Sequence, residues 1–117
     1  MAGWLTTHVL DTARGRPVAG LAIELYRFDE EKRLLIASAV TNDDGRTDQP
    51  ILPKNAFKTG HYELVFKAGA YLDSFGSDDK QPCFLDTVPI RFGMNEETHY
   101  HVPLLLSPFG YSTYRGS

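Results

Sequence analysis

The chain has a single cysteine, Cys83, among 117 residues, so no disulfide can form within it. That economy suits a reducing compartment. Cys83 lies in Pro82-Cys83-Phe84-Leu85, where apolar neighbours offer nothing to stabilise a thiolate, and it reads as a small hydrophobe rather than a nucleophile. No apolar run approaches the roughly 20 residues needed to cross a bilayer. The first residues carry neither a basic segment nor an apolar one, so no secretory leader is expected. An excess of positive charge is missing too. Twelve Lys and Arg against 15 Asp and Glu leave a net charge of −3, which argues against nucleic acid or an anionic membrane as partner.

Several motifs are also absent. There is no Gly-X-Ser-X-Gly elbow, no phosphate-cradling Gly-rich loop, no dinucleotide fingerprint and no His-Glu-X-X-His. Asn42-Asp43-Asp44-Gly45 resembles part of a calcium loop, but placing Gly45 sixth puts Val40 first and Ile51 twelfth, where acidic residues belong. Zinc needs at least three protein ligands, and the four histidines have no such spacing, so a metal site is not indicated.

What remains is a series of short alternating runs divided by turn clusters. Strands are expected at Trp4 to Leu10, Leu21 to Phe28, Leu34 to Thr41, His61 to Ala68, Phe84 to Phe92, Thr98 to Leu106 and Tyr111 to Tyr114. Asp11 to Pro17, Asn42 to Gly45, Gly93 to Glu96 and Ser107 to Gly110 read as turns. Pro50 and Pro53 make the segment between Arg46 and Lys58 irregular. Ala70 to Phe75 is the one plausible helix. Pro103 implies an edge strand, or an amide position facing away from the ladder. Seven or eight strands with almost no helix predict an all-β protein, an antiparallel β-sandwich forming one domain over residues 1–117.

Chemistry concentrates near the end. His99 and His101 are two apart, so on a strand both imidazoles share a face. Spending two such positions on titratable groups is unusual for a core, and a neutral imidazole is a natural general base. Tyr114-Arg115-Gly116-Ser117 then gathers a phenol, a guanidinium and a hydroxyl within four residues. His8, in Leu5-Thr6-Thr7-His8-Val9-Leu10, and Arg46, after the Asn42 turn, look ordinary by themselves.

These segments together resemble the 5-hydroxyisourate hydrolases, or transthyretin-related proteins. Tyr100 to Ser117 is similar to the family's end, His8-Val9-Leu10-Asp11 with Gly15-Arg16-Pro17 to its first motif, and Asp43-Asp44-Gly45-Arg46 to its central turn. Val18 departs from the Ala or Gly usual after that proline. Transthyretin proper lacks the Tyr-Arg-Gly-Ser end and has lysine and threonine in place of His8 and His101. The resemblance implies a transthyretin-like sandwich of two four-stranded sheets with one short helix, and a homotetramer built as a dimer of dimers. It implies active sites at the dimer–dimer interface, with His8, Arg46, His101 and Ser117 catalytic. His8, Arg46 and Tyr114 to Ser117 would contact the small-molecule substrate. His99 is not a core member of that set. The competing expectation is a transthyretin-like carrier of a small aromatic ligand in the same channel. The absence of a leader and of a Ser-Lys-Leu end favours the cytoplasm, although some relatives are peroxisomal.

Overall fold

The computed structural model describes residues 3–75 and 82–116. Eight strands form two sheets: β1 (Trp4–Asp11), β2 (Arg16–Pro17), β3 (Ala22–Asp29), β4 (Lys32–Val40), β5 (Gly60–Lys67), β6 (Thr87–Met94), β7 (His99–Ser107) and β8 (Gly110–Thr113). One sheet runs β2-β1-β7-β8 and the other β4-β3-β5-β6. A short helix, α1 (Ala68–Asp73), follows β5. The β-sandwich expected from the alternating runs is therefore present. Among the described strands, β1 and β7 pair in parallel and the other pairs are antiparallel.

The layers meet because strand alternation sends one set of side chains inward. Leu5 and Val9 of β1 and Leu104 and Leu106 of β7 face Ile23 and Leu25 of β3 and Leu64 and Phe66 of β5, all fully buried. At the end of β1, Asp11 is also buried. Its Oδ1 accepts from the backbone N–H groups of Ala13 (3.0 Å) and Arg14 (2.9 Å), and its Oδ2 from the Tyr71 hydroxyl (2.7 Å). This ties α1 to the sheet that carries the histidines.

Boundaries differ from expectation where tertiary contacts decide them. α1 begins at Ala68 rather than Ala70, because Gly69 packs against Asp86 and donates to its carbonyl at 2.6 Å. β6 begins at Thr87, leaving Phe84 exposed, and runs to Met94, which is buried opposite Gly60. The turn expected at Gly93 to Glu96 is displaced accordingly. The Tyr100 hydroxyl accepts from the Asn95 and Glu96 N–H groups at 3.0 and 3.1 Å, fixing the turn after Met94.

Pro103 does not lie on an edge strand: β7 sits between β1 and β8. Its missing donor is instead met by a gap in the β7–β8 pairing. The β7–β8 ladder ends at Leu104 opposite Thr113, and its register places Tyr114 opposite Pro103. Pro103 has no N–H to offer there, and its carbonyl accepts from the Thr113 hydroxyl at 2.7 Å. Pairing then resumes in the same register, His101 with Gly116.

Candidate functional site

The site is built on the outward face of the β1–β7 pair. The parallel register sets Trp4 beside His99, Thr6 beside His101 and His8 beside Pro103. Alternation makes Trp4, Thr6 and His8 half-buried on that face, while Leu5, Thr7 and Val9 point to the core. His99 and His101 share it. The Trp4 and His99 rings stack at 4.5 Å with planes 5° apart. Thr6 Oγ1 lies 2.7 Å from His99 Nε2 and 2.8 Å from His101 Nδ1, so one hydroxyl joins both rings.

Arg46 reaches the same face through its turn. Asn42 Oδ1 accepts from the N–H groups of Asp44 (2.9 Å) and Arg46 (3.2 Å), folding the segment back on itself. Gly45, at φ +76°, takes a conformation that other residues rarely adopt, and its carbonyl accepts from the Val9 N–H at 2.8 Å. A Cβ there would collide with the Val9 carbonyl. The turn thus lies flat on β1, and Arg46 forms a backbone bridge with His8. His8 Nε2 is 3.0 Å from the Asp44 carbonyl. A carbonyl only accepts, so Nε2 carries the hydrogen, and neutral His8 presents the lone pair of Nδ1.

Electrostatics favour the neutral rings. Burial and then the Arg46 charge push the His8 pKa below its ordinary value of 6.5, against a smaller upward pull from the Asp44 carbonyl and carboxylate. Burial, then Arg46, His8 and His99, lower His101 in the same way. Burial also lowers His99. The His8 and His101 ring centroids are 6.3 Å apart. At neutral pH the face therefore offers three uncharged imidazoles, with a guanidinium whose charge acts on His8 and His101.

The tail divides by strand parity. Gly116 donates its N–H to the His101 carbonyl at 2.6 Å, and Tyr114, exposed, falls on the histidine face opposite Pro103. Arg115 falls on the other side. Its guanidinium stands 4.3 Å over the Tyr100 ring. There it lines an open groove of about 530 Å³ with His61, Gly93 and Asn95, away from His8 and His101. Ser117 lies outside the described residues. Within one chain, then, His8, Arg46, His101 and Gly116 come together, while Tyr114 is exposed beyond the end of β8 and Arg115 lies elsewhere.

Sequence reasoning missed Thr6 and the Asp44 carbonyl. Thr6 was detectable as the residue alternating with His8, but its contact with His101 depends on the β1–β7 register, which spans most of the chain. Among the described residues no group of three or more His, Cys, Asp and Glu side chains could hold a metal ion.

The HIUase/Transthyretin family matches residues 5–116. The chain belongs to this family. A 5-hydroxyisourate hydrolase of Mesorhizobium japonicum is 60% identical over 115 residues, covering 98% of this chain and 93% of that protein. Among solved structures, an (S)-allantoin synthase superposes with TM-score 0.90 at 46% identity; the match covers 99% of this chain and 44% of the synthase chain. The Klebsiella pneumoniae 5-hydroxyisourate hydrolase gives TM-score 0.81 at 32% identity, covering 98% and 99%. The sandwich of two four-stranded sheets is thus the architecture of the HIUase/Transthyretin family. Its outward β1–β7 face carries the polar residues described above.

Proposed function

We propose that the protein is a 5-hydroxyisourate hydrolase acting in urate degradation. Its substrate would be opened by water attacking the C6 carbonyl. Cleavage of the N1–C6 bond then gives 2-oxo-4-hydroxy-4-carboxy-5-ureidoimidazoline. The observation that carries the reading is the pair of neutral imidazoles, 6.3 Å apart, beside the Arg46 charge. The names of the 60% identical relative and the Klebsiella structure support the choice of substrate.

In this reading His101 removes a proton from water through Nε2, since Nδ1 is engaged by Thr6. Such a base contributes on the order of 10²–10⁴-fold. Neutral His8 has only a lone pair at its open nitrogen, so it orients the water by accepting from it. Donation to the leaving nitrogen would require His8 to be protonated first. Arg46 binds the substrate and stabilises the developing oxyanion. Tyr114 and Gly116 stand on the tail side, and Ser117 is assigned a catalytic and substrate-contacting role by the family resemblance alone. Arg115 reaches substrate only if the site is completed by a second copy, as in the proposed homotetramer with sites at the dimer–dimer interface. No step calls on a metal or organic cofactor.

A carrier of aromatic ligands would need an apolar channel wall, whereas this face presents histidines and an arginine. No helix among the described residues is long and apolar enough to cross a membrane. The bacterial origin of the relatives that are 60% and 58% identical supports a cytoplasmic setting. The deciding experiment follows the decay of freshly generated 5-hydroxyisourate. Acceleration over the spontaneous rate, lost in His101→Ala, is expected. An unaccelerated decay would overturn the assignment.

A further inference from the structure

The Thr6 hydroxyl is shared by two imidazoles, and it has only one hydrogen to give. With Nε2 of His99 at 2.7 Å and Nδ1 of His101 at 2.8 Å, that hydrogen can point to one ring only, and the other ring must then donate to the oxygen. Two arrangements give the hydroxyl hydrogen a ring to bind; a third, with both rings donating to the two lone pairs of the oxygen, leaves that hydrogen without either ring as acceptor. If Thr6 donates to His99, His101 carries its hydrogen on Nδ1 and leaves Nε2 as a free lone pair. If Thr6 donates to His101, the hydrogen of neutral His101 moves to Nε2, and that nitrogen can take no proton.

We propose that His99 and Thr6 are positioning residues that select the first arrangement and hold Nε2 of His101 ready to accept a proton. This rests on the reading of His101 as the base. Of the two arrangements that give the hydroxyl hydrogen a ring acceptor, only the first serves throughout a proton transfer. When His101 gains a proton at Nε2, its Nδ1–H continues to donate to Thr6, and no hydroxyl has to reorient. His99 must stay neutral to accept from Thr6. Once protonated it can only donate, so the Thr6 hydrogen loses its acceptor on His99 and the first arrangement is no longer selected over the second.

The surroundings suit an acceptor at His99. Its ring is fixed by the parallel stack on Trp4, and the Lys54 ammonium stands 4.7 Å from the far partner of that stack. The charged and titratable groups bearing on His101 are Arg46 and His8 from the turn and β1, and His99 from β7 itself. Among the described residues none of these is an anion that would favour protonation. Sequence spacing alone shows only two histidines on one face; the threonine between them supplies the coupling.

The test uses the full-length protein and two readouts. Nitrogen-15 NMR of the histidine rings, without substrate, should show hydrogen on Nδ1 of His101 at neutral pH. Thr6→Val should lose that preference and lower kcat by up to about 100-fold, since misplacing a positioned reacting group is expensive, with a smaller change in KM. Thr6→Ser should restore both. The acid limb of the kcat profile should be steeper in the wild type than in His99→Gln by one proton. Wild-type kcat, limb slope and His101 tautomer in both Thr6→Val and His99→Gln would overturn the proposal. Full activity in His101→Ala would instead overturn the catalytic reading, because the tautomer is measured without turnover.

Discussion

The N–H of Gly116 donates to the carbonyl of His101 at 2.6 Å, fastening the end of the described chain to the residue assigned as base. A Cβ on Gly116 would stand 3.1 Å from His101 Cδ2 and 3.3 Å from its Cβ. Gly116→Ala is therefore expected to tilt the His101 ring and reduce kcat about tenfold or more, since small misplacements of reacting groups are expensive. Thermal melting should change little, because the residue lies at the end of a ladder. Parallel measurement of kcat and Tm checks both halves.

Deleting Ser117, or extending the chain beyond it with a tag, should likewise lower turnover far more than stability. Equal activity from tagged and untagged protein of the same oligomeric state would remove the tail from the site.

Gly45→Ala should disturb both partners of the backbone bridge. It forces a side chain into φ +76° and against the Val9 carbonyl. A destabilisation of about 1–3 kcal/mol is expected from such strain. Activity should fall further than stability predicts, because the same turn sets Arg46 and the Asp44 carbonyl that fixes His8. Denaturant melts and steady-state kinetics on one preparation would separate the two effects.

Arg46→Gln removes a charge that holds His8 and His101 below the ordinary histidine value. The acid limb of kcat/KM should move to higher pH, toward 6.5. Turnover on the plateau should also fall, on the order of 10²–10³-fold for loss of an oxyanion donor. Arg46→Lys keeps the charge and hence the limb, but not the forked donor geometry. Its profile should match the wild type in position and not in height.

Stability should depend on pH through the same rings. His8, His99 and His101 are all lowered in the folded chain. As pH falls through about 6.5, the unfolded chain binds protons that the folded chain does not. Their contribution is therefore complete above that pH and is lost as pH drops toward the folded-state values. Asp11 adds a separate loss at lower pH. Burial would raise its pKa, but the Tyr71 hydroxyl, the Arg14 and Ala13 N–H groups and the Arg14 charge together bring it below 3.8. Melting temperature should fall between pH 7.5 and 5.5, and His101→Gln should flatten that fall.

Alternation and turn chemistry reveal most of the fold because they act locally. Leu21, Ile23 and Leu25 declare an inward face, and Asn42 to Gly45 declares its turn. The shared face of His99 and His101 follows from the same period of two. The parallel β1–β7 register is not local, so Thr6 remained an unremarkable strand residue until the two strands were paired. Pro103 misleads toward an edge because its missing donor is accommodated by a gap in one ladder, opposite Tyr114. Arg115 misleads for a related reason. Neighbours in sequence on an extended tail face opposite ways, so contiguity in the Tyr114-Arg115-Gly116 run does not place all three side chains in one site.

Thr6 meets His99 and His101 across 93 and 95 positions of sequence. Contacts of that span close late when a chain folds, since the intervening loop must first be ordered. Catalytic competence should thus be among the last properties to appear on refolding, after most of the core fluorescence and backbone signals have settled. The recovery of turnover becomes a clock for the completed molecule.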